Sequence, residues 1–292
     1  MGVSIEQVLQ GGTSFLKQKG LRFPRQEAEI LLAFLLGRER PYLYAHGEEK
    51  VAPELEKTYK KILQRRGARI PLAYITGKKE FMGLGFSVNK NVLIPRPETE
   101  HLVEAVIAWG KKFYAQSEQK ETLKILDLGT GCGNIAVALA HYLPFSFVTG
   151  VDLKKEAVEL ACQNAQNVGV NKRTRFLCGD FWEPLVPGED TFNVIVSNPP
   201  YIPREELFTL SPEVQNEPRL ALDGGPDGLT AYRHIFDNVQ KFLTCPGLLA
   251  VEIGDKQAKN IWEMSSRLAF LRNIEIIKDY AGISRVISGS TI

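Results

Sequence analysis

From residue 123 onward the chain alternates short apolar runs with stretches of helical spacing, and this alternation restricts the fold more than any other feature. Residues 123–128, 147–151, 175–177, 192–197 and 248–253 read as strands, and 134–142, 154–167, 230–243 and 257–268 as helices. Strands that are apolar on both faces need cover on both sides, and in a parallel sheet crossover helices supply it. Five such strands predict an α/β fold with a doubly wound, Rossmann-like and mostly parallel sheet. Residues 274–279 and 285–288 then read as a terminal antiparallel hairpin bent at Gly282.

The first 75 residues carry no strand signal and read as a small all-helical domain. Ile5, Val8 and Leu9 recur at helical spacing until Gly11-Gly12 interrupt the pattern. A second helix is expected over 25–36, with Gly37 as its C-cap, and a third over 53–66, ending at Gly67. Residues 76–95 read as a β-hairpin linker, because 81–88 alternates apolar and small positions around glycines. The remainder, 96–292, forms the larger domain; it opens with a helix over about 98–113, followed by a polar loop over 111–122.

Composition narrows the class. With 44% hydrophobic and 24% charged residues, the chain is an ordinary globular one. A net charge of +2 does not argue for nucleic-acid binding. Residues 1–76, however, hold 13 Lys/Arg against 8 Asp/Glu, which suits either a solvated helical surface or a docking face. Cys132, Cys162, Cys178 and Cys245 show neither C-x-x-C nor metal-ligand spacing, so free thiols in a reducing compartment and no metal are expected. No basic segment followed by an apolar stretch opens the chain, and no run is long enough to span a membrane, so a soluble, cytoplasmic, monomeric protein is expected. An organelle form with its targeting peptide removed stays open as the lesser alternative.

The apolar run ending at Ser197 stops at Asn198-Pro199-Pro200-Tyr201. Two prolines neither continue a ladder nor donate to it. The stop leaves an amide side chain, carbonyls free of a competing ladder and an aromatic ring at the carboxyl end of a strand, the edge where open α/β sheets bind ligands. Such a set suits a planar nitrogen: two oxygens accept its N–H bonds while the ring packs beside it.

Asp127-Leu128-Gly129-Thr130-Gly131-Cys132-Gly133 follows the first strand of the sheet. The spacing is G-x-G-x-G with an acid two residues ahead, not G-x-G-x-x-G, and Asn134 stands where a dinucleotide fingerprint wants glycine. A cationic amino-acid moiety beside Asp127 fits better than a pyrophosphate, although the loop alone leaves a dinucleotide open. Asp152 ends the next strand, where a carboxylate either accepts from ribose hydroxyls or caps the following helix. Asp180, Phe181 and Trp182 end the third; they border an adenine, or Trp182 belongs to the core.

Together these pieces resemble a class I adenosylmethionine-dependent methyltransferase. The whole chain resembles the release-factor glutamine methyltransferase (HemK/PrmC) family, through residues 71–77, 93–100, Glu217-Pro218-Arg219, Ala221-Leu222-Asp223-Gly224-Gly225 and Asp227-Gly228-Leu229. Cys132 and Asn134 replace the small hydroxyl residue and alanine often found there, and Ile283-Ser284 replaces a charged pair. The resemblance implies methyl transfer from S-adenosylmethionine, leaving S-adenosylhomocysteine, to the side-chain amide nitrogen of the Gly-Gly-Gln glutamine in class-1 peptide release factors. The implied cofactor set is Asp127, Gly129, Thr130, Gly131, Cys132, Gly133, Asp152, Asp180, Phe181, Trp182 and Asn198. The implied catalytic group is Asn198, Pro199 and Tyr201, and Pro200 joins them in holding substrate. On this reading the helical domain recognises the release factor, and no stable nucleic-acid complex is expected.

The alternative, a nucleic-acid amino-group methyltransferase, shares both motifs but would want a basic groove. Arg96, Glu98 and Glu100 read as caps or ion pairs as readily as catalysts, and Glu217-Pro218-Arg219 as a cover for the substrate. Arg65, Arg66 and Arg69 read as partner contacts or as solvated charges.

Overall fold

A computed structural model describes residues 2–118 and 121–291. Within it the chain forms two compact units, Met1–Gly77 with Ser211–Asn216, and Lys78–Leu210 with Glu217–Ile292.

The first unit is helical: α1 (Ile5–Gln18), α2 (Pro24–Leu36), α3 (Arg40–Ala45), α4 (Pro53–Gly67) and α5 (Leu72–Thr76). Ser4 and Gln7 close a reciprocal capping box at the start of α1. That helix runs straight through Gly11-Gly12, contrary to the expected interruption. The reason is tertiary. A Cβ on Gly12 would fall 2.3 Å from the hydroxyl of Tyr59, a buried ring whose hydroxyl donates to the Ala28 carbonyl at 3.0 Å. The glycine gives up helix propensity so that α4 can lie close.

The second unit begins with the hairpin β1 (Lys78–Phe81) and β2 (Leu84–Ser87), turned by Met82 and Gly83 at positive φ. A single 3₁₀ turn, Pro97–Thr99, leads into α6 (Glu100–Gln116). This helix therefore starts and ends later than the sequence suggests, and takes up the first half of the expected polar loop. Gln119 and Lys120 of that loop lie outside the described residues. Then follow β3 (Leu123–Leu128), α7 (Asn134–Tyr142), β4 (Ser146–Asp152), α8 (Lys155–Val168), β5 (Thr174–Cys178) and β6 (Phe192–Ser197). Beyond β6 the chain contributes α9 (Pro212–Gln215) to the first unit and returns for α10 (Thr230–Asn238), β7 (Leu243–Glu252), α11 (Ala258–Ser266), β8 (Leu271–Lys278) and β9 (Ser284–Thr291).

Seven strands form one sheet in the order β5-β4-β3-β6-β7-β9-β8. The first five run parallel, and β9 and β8 close the edge antiparallel. Alternation along the strands feeds two cores. Ile125, Val148 and Val194 pack with α6, α7 and the hairpin ring Phe81. Leu126, Val151 and Ile195 face the other way, toward Tyr232, Ile235 and Ile261 of α10 and α11. Burial on both faces is why these strands lack polar alternation. The helix expected over 230–243 stops at Asn238, and β7 starts at Leu243, ahead of the expected 248. Thr244, Cys245 and Pro246 carry no apolar strand signature, which hid the first half of β7.

Candidate active site

The site forms where the sheet order reverses. Strand β3 pairs with β4 on one side and β6 on the other, with Asp127 opposite both Gly150 and Val196, and Leu128 opposite Ser197. The carboxyl ends of three strands therefore lie side by side, and the residues that follow them face one crevice. Ser197 Oγ donates to the Leu128 carbonyl at 2.7 Å, which fixes the two central ends together. A cavity of about 420 Å³ opens here. Gly129, Gly131, Asp152, Phe181, Asn198 and Pro200 line it, with walls from residues 90–93 and 218–221. That volume suits a small organic ligand.

The loop after β3 is tied down from both sides. The amides of Gly129 and Thr130 donate to the Val151 carbonyl, both at 2.9 Å, and the Gly131 amide donates to Asp152 Oδ2 at 2.8 Å. Gly129 and Gly131 hold positive φ, and a Cβ on either would meet no protein atom within 4 Å. The open side of the loop thus lets a ligand approach the backbone. Gly133 serves packing instead, since its Cβ would sit 2.9 Å from that of Ala161.

Thr130 Oγ1 donates to Asp127 Oδ2 at 2.6 Å, while the other Asp127 oxygen is buried with no partner. Burial pushes this carboxyl up to about 7, against the lowering effect of the Thr130 hydrogen bond. Cys132 is buried, and that burial raises its thiol to about 12, so it is packed as a small apolar group rather than poised as a nucleophile. Asp152 Oδ1 accepts from the Lys154 amide at 2.9 Å, which closes a local turn; the N-cap of α8 is Lys154, so the carboxylate does not cap the helix as the sequence suggests. Burial raises the Asp152 carboxyl as well.

The three residues after β5 separate. Asp180 is exposed at the cavity edge and Phe181, at positive φ, lies on its wall. Trp182 turns into the core: it stacks on Phe242 at 4.8 Å between ring centroids, and its indole N–H donates to the His234 carbonyl at 3.1 Å.

At the end of β6, Asn198 Nδ2 donates to Thr99 Oγ1 at 3.1 Å. Tyr201 is mostly buried, and burial raises its hydroxyl to about 12. Its carbonyl accepts from Gln257 Nε2 at 2.9 Å. Gly228, at φ +75°, stands so close that a Cβ there would be 2.4 Å from the same carbonyl. The glycine of Asp227-Gly228-Leu229 thus exists to let this loop lie against the Asn-Pro-Pro-Tyr stop.

Residues 7–77 match the family model of the PrmC N-terminal domain, and 119–281 match that of a methyltransferase domain. The release factor glutamine methyltransferase of Moorella thermoacetica is 41% identical over 283 residues, covering 97% of each chain. That of Geobacter sulfurreducens is 41% identical over 287 residues, covering 98% of this chain and 96% of its own. The chain belongs to the release factor glutamine methyltransferase family. A methyltransferase structure from Pyrococcus furiosus, 21% identical, shares the fold over 78% of this chain and 98% of its own, with a TM-score of 0.52.

The expected methyltransferase fold is therefore borne out. Several residues take roles that the sequence did not assign them. Glu217 is buried, accepts from the Ile94 amide at 3.0 Å and pairs with Arg96 at 2.6 Å, so it pins both cavity walls rather than facing substrate. Arg66 is buried against Glu27 and Glu213, and Arg69 reaches Glu213 at 3.2 Å, so these two arginines hold α9 within the first unit. Thr99 and Glu252 are also buried beside the site. A carboxylate inside the apolar run 248–253 was the available signal for Glu252. Among the described residues no His/Cys/Asp/Glu cluster could hold a metal, and no helix is long and apolar enough to cross a membrane.

Proposed function

We propose that the chain methylates the side-chain amide nitrogen of the Gly-Gly-Gln glutamine in class-1 peptide release factors, with S-adenosylmethionine as donor. The donor's residues fit the cavity: the open backbone of Gly129 and Gly131 suits the amino-acid end, Asp152 the ribose hydroxyls, and Phe181 the adenine. Bound there, S-adenosylmethionine supplies an electrophilic methyl on a sulfonium and leaves as S-adenosylhomocysteine. Asp127 supports the loop through Thr130 and does not line the cavity wall.

One observation carries the acceptor assignment. The Asn198 amide spends its Nδ2 on Thr99, which leaves Oδ1 to accept from a ligand. An amide nitrogen is a poor nucleophile because its lone pair is delocalised into its carbonyl. Asn198 Oδ1 and the Pro199 carbonyl accept its two N–H bonds, orient the nitrogen toward the methyl and stabilise the positive charge that develops on it. As the new C–N bond forms, that nitrogen becomes acidic and gives up one proton to solvent, so no strong base is required. Tyr201 and Pro200 pack on the amide plane. Alignment of two reactants in this way is worth roughly 7–11 kcal/mol.

The helical unit, with its surplus of basic residues, recognises the release factor on this reading, and the enzyme works as a cytoplasmic monomer. Transfer of radiolabelled methyl to a purified release factor, and none to its Gln→Ala variant, is the expected result. Asn198→Ala is expected to slow transfer by ~3 kcal/mol, about a hundredfold, with S-adenosylhomocysteine still bound. Labelling of RNA in place of the factor, or unimpaired transfer by Asn198→Ala, would overturn the reading.

A further inference from the structure

Behind the Asn198 amide stands a second buried layer. Thr99 ends the 3₁₀ turn before α6 and accepts from Asn198; Ser197 and Val251, which precede Asn198 and Glu252, pair across β6 and β7, so three elements meet here. Thr99 is 1% exposed and Glu252 2%. Thr99 Oγ1 accepts from Asn198 Nδ2 at 3.1 Å, and the Glu252 carboxylate lies close enough to the same hydroxyl to be influenced by it. The second oxygen of Glu252 is buried without a partner.

A threonine hydroxyl has one proton to give. Thr99 accepts from Asn198 Nδ2, so its own proton is left for the neighbouring Glu252 carboxylate, which only accepts. With the proton turned that way, the hydroxyl offers Asn198 only lone pairs, and the NH₂ end of the amide faces it. We propose that Thr99 and Glu252 are positioning residues, which set the orientation of the Asn198 amide and thereby present Oδ1 to the target nitrogen. The same chain polarises the amide: donation to Glu252 makes Thr99 Oγ1 a better acceptor, and that in turn makes Asn198 Oδ1 more negative. The inference rests on Asn198 Oδ1 being an acceptor for the target.

The orientation depends on the charge of Glu252. Burial raises its carboxyl to about 7, with Glu98 acting in the same direction and Thr99, Arg285 and Arg96 against it. Tyr201 and Tyr232 also face it, the latter donating to the Glu252 carbonyl at 2.7 Å. Once protonated, Glu252 can donate to Thr99, and the hydroxyl no longer has a fixed direction. The transfer rate falls as pH drops through this range.

Single-turnover methyl transfer to a purified class-1 release factor tests the proposal, with S-adenosylhomocysteine affinity measured beside it. Thr99→Val should slow transfer about tenfold or more and leave that affinity unchanged, while Thr99→Ser restores the rate. Glu252→Gln should abolish the fall in rate at low pH. Wild-type speed in Thr99→Val, a Thr99→Ser as impaired as Thr99→Val, or an unaltered pH profile in Glu252→Gln would each overturn it. The pH profile of Glu252→Gln decides the matter even if Thr99→Val does not fold. Asn198→Ala serves as control: if it keeps full speed, the acceptor role of Asn198 fails first.

Discussion

The Gly131 amide donates to Asp152 Oδ2 at 2.8 Å, so the carboxylate at the end of one strand holds the glycine loop after its neighbour. Asp152 thus acts twice, as a wall of the cavity and as the anchor of its floor. Asp152→Ala removes both functions. Hydrogen bonds to a charged group are worth about 1.5–3 kcal/mol, so S-adenosylhomocysteine should bind roughly ten- to a hundredfold more weakly. Titration calorimetry measures this, and an unchanged affinity would remove Asp152 from the ribose site.

Trp182 offers a clean separation of core from cofactor. Trp182→Phe keeps a ring against Phe242 but loses the bond to the His234 carbonyl. It should lower stability and leave S-adenosylhomocysteine affinity at the wild-type value. Trp182→Ala should cost about 3–5 kcal/mol in urea unfolding. A marked loss of affinity in the phenylalanine variant would return the indole to the adenine pocket.

Stability should depend on pH through two buried carboxyls. Asp127 and Glu252 are both raised to about 7 in the fold by burial, from 3.8 and 4.5. Between those limits the folded state holds protons that the unfolded state has released. Each group therefore adds stability that is complete below its unfolded value and lost as pH rises through about 7. Unfolding of the ligand-free protein should become easier from pH 5.5 to 8, by at most about 1.4 kcal/mol per pH unit for each group. Asp127→Asn and Glu252→Gln should each flatten that slope; a slope unchanged in both variants would contradict the assignment. Below pH 4 the trend reverses, because paired carboxylates such as Glu213 and Asp223 lie below their ordinary range and are lost on protonation.

Arg66 should matter to the first unit far more than its neighbour Arg65. Buried against Glu27 and Glu213, it leaves Glu27 without its partner and Glu213 with Arg69 alone when removed. Arg66→Ala should cost about 3–5 kcal/mol, read from the melting of the helical unit. Arg65→Ala, which breaks no such pair, is the comparison, and equal losses in both would refute the distinction.

The sheet was legible because its strands announce themselves locally: a run such as residues 192–197, apolar on both faces and stopped by two prolines, has few other places to go. The glycine loop and Asp152 were legible for the same reason, each lying at a strand end. Gly12 misled, because its meaning lies in Tyr59, far along the chain. Thr99 and Glu252 were hidden likewise, since nothing near either residue names Asn198 as its neighbour. Trp182 stood between two readings because an aromatic at a strand end looks the same whether its ring points toward ligand or core.

The chain passes between its two units three times, at Gly77/Lys78, Leu210/Ser211 and Asn216/Glu217. The helical unit is therefore not a bead on a string. Removing residues 1–77 would strand Ser211–Asn216, whose Glu213 is held by Arg66 and Arg69. Those six residues sit on the stretch of chain between the Asn-Pro-Pro-Tyr stop and the 218–221 wall of the cavity. A cut at Gly77 would therefore leave α9, the sixth helix of that unit, behind in the middle of the larger one.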